Sequence, residues 1–220
     1  MSKTWLRHLA RRTRVNTAAH RFTEVPAVSS ENDVINAIVS RHSVSPKRVV
    51  APGPDADQIL ELMSVAAAAP DHGKLRPWRF INFPENSRGQ LADVFQAALL
   101  ERMPDASPEA LSRAREKASR APVVLGLVLR LDHEIGIPHV DDQLVSGGAA
   151  LQNVLLGAHA MGFGARALSG QAVRTTAFRT ALNIADDEIF LCFIAIGTPT
   201  SAPRRNARPA PETLLTQWTG

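Results

Sequence analysis

A chain of 220 residues with 45% hydrophobic content can form one large domain or two small ones around a packed core, and its net charge is only +4. No apolar run approaches the roughly 20 residues that a bilayer-spanning helix needs, so a membrane-embedded protein is excluded. A single cysteine, Cys192, rules out an internal disulfide or a multi-cysteine metal site, and three tryptophans without a tyrosine leave no aromatic platform for single-stranded nucleic acid.

The charge is unevenly spread. Lys3, Arg7, His8, Arg11, Arg12, Arg14, His20 and Arg21 all precede the first acid, Glu24. Residues 1–30 therefore read as a basic, flexible arm appended to the domain, with a mitochondrial transit peptide as the alternative. Without such a peptide the expected location is cytoplasmic.

The domain begins where Ser30-Glu31-Asn32-Asp33 offers a helix start and Val34, Ile35, Ile38 and Val39 recur at helical spacing. That helix runs into Arg41-His42-Ser43. Two donors beside a hydroxyl can grip a phosphate, and they can equally be a charged helix end favoured by the helix dipole. Asp55 or Asp57 caps a second helix through Ile59, Leu60 and Met63, which passes into alanines and must stop at Pro70. The polar tip Asp71-His72-Gly73-Lys74 follows and Trp78 opens a strand. A turn mounted between a buried helix and a buried strand suits a binding site, although His and Asp are also common in plain surface turns.

A helix from about Ser87 carries Leu91, Val94, Phe95, Ala98 and Leu99 on one face, and Ser107-Pro108-Glu109 opens a short exposed one. Val123 to Leu131, almost continuously apolar, reads as a central strand buried on both faces. Asp141 to Met161 is the longest helical pattern. Its Gly147-Gly148 pair predicts close packing against another backbone. A short strand to Leu168, a helix through Phe178 and Leu182, and a strand from Ile189 to Gly197 complete the order. Strands this few and irregularly spaced predict an α+β fold rather than a doubly wound sheet. The expected domain is 31–200, with an extended tail over 201–220.

Two formal motifs fail on context. Gly162-Phe163-Gly164 follows a helix, where a dinucleotide fingerprint must open one. His133, Glu134, His139, Asp141 and Asp142 have no metal-ligand spacing and read as a solvated loop.

Arg41-His42-Ser43, then Ala69-Pro70-Asp71-His72 with Pro77-Trp78, then Gly162-Phe163-Gly164 with Ser169-Gly170 and a late Gly197-Thr198-Pro199, form an ordered set. In this order they resemble the nitroreductase family, and within it the small YdjA-like NAD(P)H nitroreductase branch. The likeness spans about Asp33 to Thr200. It implies a mostly antiparallel sheet flanked by helices, an intertwined homodimer, FMN as cofactor, and hydride passed from NAD(P)H to nitroaromatic, quinone or related acceptors.

By the same resemblance, Arg41, His42 and Ser43 face the flavin phosphate and ribityl chain, and His72 contacts the flavin bound by the partner. Gly157, Ala158, His159, Ala160, Met161 and Gly162 lie near the nicotinamide nucleotide. Ala167, Leu168 and Ser169 form a further FMN segment. The branch carries arginines at the positions of Ala68 and Leu168, so Arg166, Lys74 or the pair Arg204 and Arg205 are candidates to replace them. No catalytic acid, base or nucleophile is assigned, because the flavin carries the redox chemistry. Flavin-destructase or dehalogenase relatives, and a non-enzymatic flavin-binding protein, are the competing readings.

Overall fold

Two strands with almost no polar side chains set the architecture, because such segments must be covered on both faces. In the computed structural model, which describes residues 32–202 and 207–219, they are β3 (Val123–Arg130) and β5 (Glu188–Pro199), paired antiparallel at the centre of the sheet. β2 (Trp78–Asn82) pairs with the other edge of β3, while β4 (Gly164–Leu168) and the two-residue β1 (Val49–Val50) pair with successive parts of the free edge of β5. Every strand pair is antiparallel. Among the described residues, the one parallel contact is an isolated bridge between Ser43 and Ala165.

Helices cover both faces. α2 (Ala56–Ala67) and α5 (Val140–Ala160) pack on an aliphatic side through Leu62, Ala66, Ala150, Val154 and Ala158, against Leu125, Leu127, Leu129, Ile194 and Ile196. α3 (Arg88–Arg102), α4 (Pro108–Arg115) and α6 (Thr176–Ala181) pack on an aromatic side, where Phe83, Phe95, Phe178, Phe190 and Phe193 meet. Phe178 and Phe190 stand edge to face at 5.0 Å, an arrangement the ring quadrupoles favour. A register shift opposite Leu127 and Val128 adds one residue to β5. It turns Phe190 and Phe193, three positions apart, to the same side, where strict alternation would separate them. Gly126 makes room for them: a Cβ there would lie 2.7 Å from the Phe190 ring.

Local signals explain most boundaries. α1 (Asp33–Ser40) starts at Asn32, whose Oδ1 accepts from the N–H groups of Val34 and Ile35 at 3.0 and 3.3 Å. Asp55 caps α2 in a reciprocal box with Gln58, and Ser107 caps α4. The glycine pair in α5 behaves differently from the sequence expectation. A Cβ on Gly147 would meet the side chain of Leu129, not a backbone, and one on Gly148 would meet nothing within 4 Å beyond its own helix.

The described residues fall into two units, 32–202 and 207–219. In the second, Pro211–Leu214 form a short helical turn, and Leu214, Leu215 and Trp218 are exposed. The basic arm expected over 1–30 lies outside the described residues. Among the described residues no helix is long and apolar enough to cross a membrane.

Candidate functional site

Helix α1 ends because Arg41 takes an extended conformation, φ −63° and ψ 125°. The chain then runs beside β4, with the Val44 N–H donating to the Ala165 carbonyl at 3.1 Å next to the Ser43–Ala165 bridge. Ser43 is exposed, while Arg41 and His42 are half-buried. The last turn of α5 lies against this segment. Ser40 Oγ and His159 Nε2 share a hydrogen bond of 2.9 Å. Burial lowers the His159 pKa from its ordinary value, and the nearby Arg41 charge lowers it further.

Beyond His159 lies an open apolar groove between α1, α2 and α5, with Ala37, Val65, Ala68, Leu156, Gly157 and Ala160 among its lining residues. The small side chains keep it shallow. Asn153 holds its floor by donating from Nδ2 to the Val65 carbonyl at 2.9 Å, which ties α5 to α2. The C-terminal end of α5 thus sets His159 beside Ser40 and Arg41, and Gly157 and Ala160 beside Ala68 on the groove, with Met161 and Gly162 in the turn that follows; His42 and Ser43 continue the chain from Arg41 towards β4. Ala158 alternates away from them and is fully buried in the aliphatic core.

Ala167 and Leu168 end β4, and Ser169 follows it. At about 3.3 Å per residue, Ser169 lies roughly 13 Å along the strand from the Ser43 bridge at Ala165. Ala167 packs towards the aliphatic core and Leu168 towards the aromatic one. Arg166 shares the Leu168 side by strand alternation, so it lies across the sheet from Ser43, whose bridge partner Ala165 faces the aliphatic core. Arg204 and Arg205 lie outside the described residues.

His72 lies at the opposite end of α5. Its Nδ1 is 3.5 Å from Asp142 Oδ2, in the first turn of that helix. Asp142 Oδ2 also accepts from the His139 N–H at 3.1 Å. From Asp142 to His159 the helix advances about 25 Å, at roughly 1.5 Å per residue. Within one chain, His72 and Arg41 thus belong to two clusters at opposite ends of one helix.

Ser40 and Asn153 are not singled out by the sequence, and Asp142 enters there only in a rejected metal cluster. Asn153 carried a signal, an amide in the apolar half of the longest helix. Ser40 and Asp142 looked like ordinary surface residues, and only packing shows what they hold.

The nitroreductase family model matches residues 38–198. A Haemophilus influenzae protein provisionally named an NAD(P)H nitroreductase is 34% identical over 176 residues, covering 80% of this chain and 94% of that protein. Escherichia coli YdjA, with the same provisional name, is 25% identical over 76% of this chain and 88% of its own length. Among solved structures, a nitroreductase-like family protein of Bacillus cereus matches with a TM-score of 0.74 at 21% identity, covering 88% of this chain and 100% of that one. A Desulfovibrio desulfuricans protein, solved as a provisional nitroreductase in complex with FMN, matches with a TM-score of 0.65 at 25% identity, covering 87% of this chain and 100% of its own.

Proposed function

The chain belongs to the nitroreductase family and is an oxidoreductase, and we propose that it binds FMN and passes hydride from NAD(P)H to nitroaromatic, quinone or related acceptors. The observation that carries this reading is the Arg41-His42-Ser43 segment, pinned beside β4 and abutted by the small-residue groove of Ala68, Gly157 and Ala160.

The donor set fits the cofactor. A guanidinium and an exposed hydroxyl suit a phosphate, which charge-assisted hydrogen bonds hold well. Ser169, just past the end of β4, offers a further hydroxyl for a ribityl chain. The groove is open, and Ala37, Ala68, Gly157 and Ala160 in its lining are small, so a flat ring can approach the backbone there. When bound, the flavin supplies the redox chemistry. The residues of the chain bind and orient: Arg41 and Ser43 hold the anionic end, and the bond between Ser40 and His159 fixes the last turn of α5 beside them. One pocket then serves reductant and acceptor in turn.

Two ends of α5 about 25 Å apart cannot serve one flavin within one chain. A second copy packed across α5 would bring the His72 end of one helix to the Arg41 end of the other, so we assign a homodimer with two shared sites. Support comes from α5 itself, where Val145 is 72% exposed and a Cβ on Gly148 would meet nothing within 4 Å beyond its own helix.

The absorbance spectrum of the purified protein tests the cofactor. Flavin bands that bleach on anaerobic addition of NADPH are expected, and a colourless protein that takes up no FMN in a fluorescence titration overturns the reading. With nitrofuran or quinone acceptors, parallel double-reciprocal lines are expected, and intersecting lines would show a ternary complex instead.

A further inference from the structure

The turn between α2 and β2 carries more than His72. Gly73, Lys74 and Arg76 have φ values of +76°, +56° and +48°. Glycine adopts such values freely, whereas a lysine or an arginine held there is strained. Arg76 is the more unusual of the two, because it immediately precedes Pro77, which favours extended geometry in the residue before it.

The surroundings hold the strain in place. The Arg76 N–H donates to Asp71 Oδ2 at 2.6 Å, and the Lys74 N–H donates to the Asp71 carbonyl at 3.3 Å. Pro138 lies under Gly73, where a Cβ would be 3.0 Å from its Cδ. His72 meets Asp142 alongside. The result is a clamped turn seated on the start of α5 that presents two exposed cations beside the candidate-site histidine.

Most cations in the body are committed elsewhere. Arg79, Arg115, Arg130 and Arg179 meet carboxylates, and Arg48 and Arg88 donate to carbonyls. Among the described residues, the Lys74 and Arg76 side chains have no such partner. Other exposed cations, such as Arg113 and Arg120, lie on the α3 and α4 side of the sheet. Lys47 follows Ser43 in the connection after α1, whereas Lys74 and Arg76 sit together in the one turn that carries His72.

We propose that Lys74 and Arg76 bind the phosphates of the nicotinamide dinucleotide, and that through its 2′-phosphate they make NADPH the preferred reductant. The inference rests on the flavin reading above and deepens it. The chemistry is that of a dianionic monoester, which an arginine fork and a lysine recognise by charge-assisted hydrogen bonds. NADH presents a hydroxyl at the same position and gains none of them.

The test compares the wild-type protein with Lys74→Asn, Arg76→Asn and the double variant. Asparagine removes the cation and tolerates left-handed geometry. Each loss is expected to raise KM for NADPH about tenfold, the order of one charge-assisted bond, with a smaller rise for NADH. Calorimetry with 2′,5′-ADP against 5′-AMP reads the same contact without turnover. Tighter binding of 2′,5′-ADP by the wild type, lost in the double variant and weakened by salt, supports the proposal. Equal affinity for the two nucleotides, or an NADPH preference that survives the double substitution, overturns it. A flavin spectrum of each sample separates the two readings: protein without flavin defeats the flavin assignment, while the calorimetry still decides this one. Arg76→Lys keeps the charge and should retain most of the preference.

Discussion

Ser40 and His159, at the ends of α1 and α5, share a 2.9 Å hydrogen bond through Oγ and Nε2 and so join the loop bearing Arg41 to the last turn of α5. Burial and the Arg41 charge keep His159 neutral to a lower pH than usual. The unfolded chain therefore takes up the proton first as pH falls. The stability His159 contributes is present above its ordinary pKa of 6.5 and is lost as pH drops through the lower folded value. Melting temperatures from pH 8 to pH 5 should fall more steeply for the wild type than for His159→Gln. Equal slopes would show that His159 is not held neutral.

A second pH limb comes from Glu188, a buried carboxylate at the start of β5. It accepts from Arg79 Nε and Nη2 at 2.7 Å each, across β3 from β2. The Arg79 hydrogen bonds lower its pKa from 4.5, and burial opposes them only in part. Its contribution is present above pH 4.5 and is lost as pH falls through the depressed value. Arg79→Ala should cost about 2 kcal/mol, less than a fully buried pair because Arg79 is half-exposed. Urea unfolding at pH 7 measures this, and a cost near zero would make the pair a surface ornament.

The order of elements was legible because its signals are local: the stop at Pro70, the apolar run of β3, and the caps at Asp55 and Ser107. β1 was missed, since two residues between prolines have no periodicity and pair only because β5 runs past β4 as far as Pro199. β5 also starts one residue earlier than its apolar run, because Arg79 makes a glutamate tolerable there. At the candidate site, Arg41 to Ser43 and the residues near Gly157 are assigned through the family pattern. Their separation from His72 is not, because it depends on which end of α5 each loop packs against. The left-handed strain at Lys74 and Arg76 has no sequence signature, for neither is a residue type that favours it.

Removing the guanidinium tests the assigned phosphate contact. Arg41→Ala should weaken FMN binding by about 2 kcal/mol, roughly thirtyfold in dissociation constant, the usual worth of a hydrogen bond to a charged group. Arg41 lies at the end of α1, a helix that buries no residue fully, so the melting temperature of the flavin-free protein should change little. Unaltered flavin retention after dialysis would place the phosphate elsewhere.

The neighbouring glycines of α5 separate the fold from the dimer. A Cβ on Gly147 would lie 2.6 Å from Leu129, which is fully buried in the central strand. Gly147→Ala should therefore cost about 1–3 kcal/mol by overpacking, less whatever helix propensity returns. Gly148, where a Cβ would meet nothing within 4 Å beyond its own helix, should tolerate even Gly148→Arg within a single subunit. If a second copy packs across α5, an isologous contact repeats the Gly148 position near the two-fold axis, and the arginine would bury an unpartnered charge. The variant should then run as a folded monomer in light scattering and lose its flavin, while its far-UV circular dichroism stays that of the wild type. A Gly148→Arg protein that remains a flavin-loaded dimer would show that the two chains meet elsewhere and that His72 does not complete its partner's site across this helix.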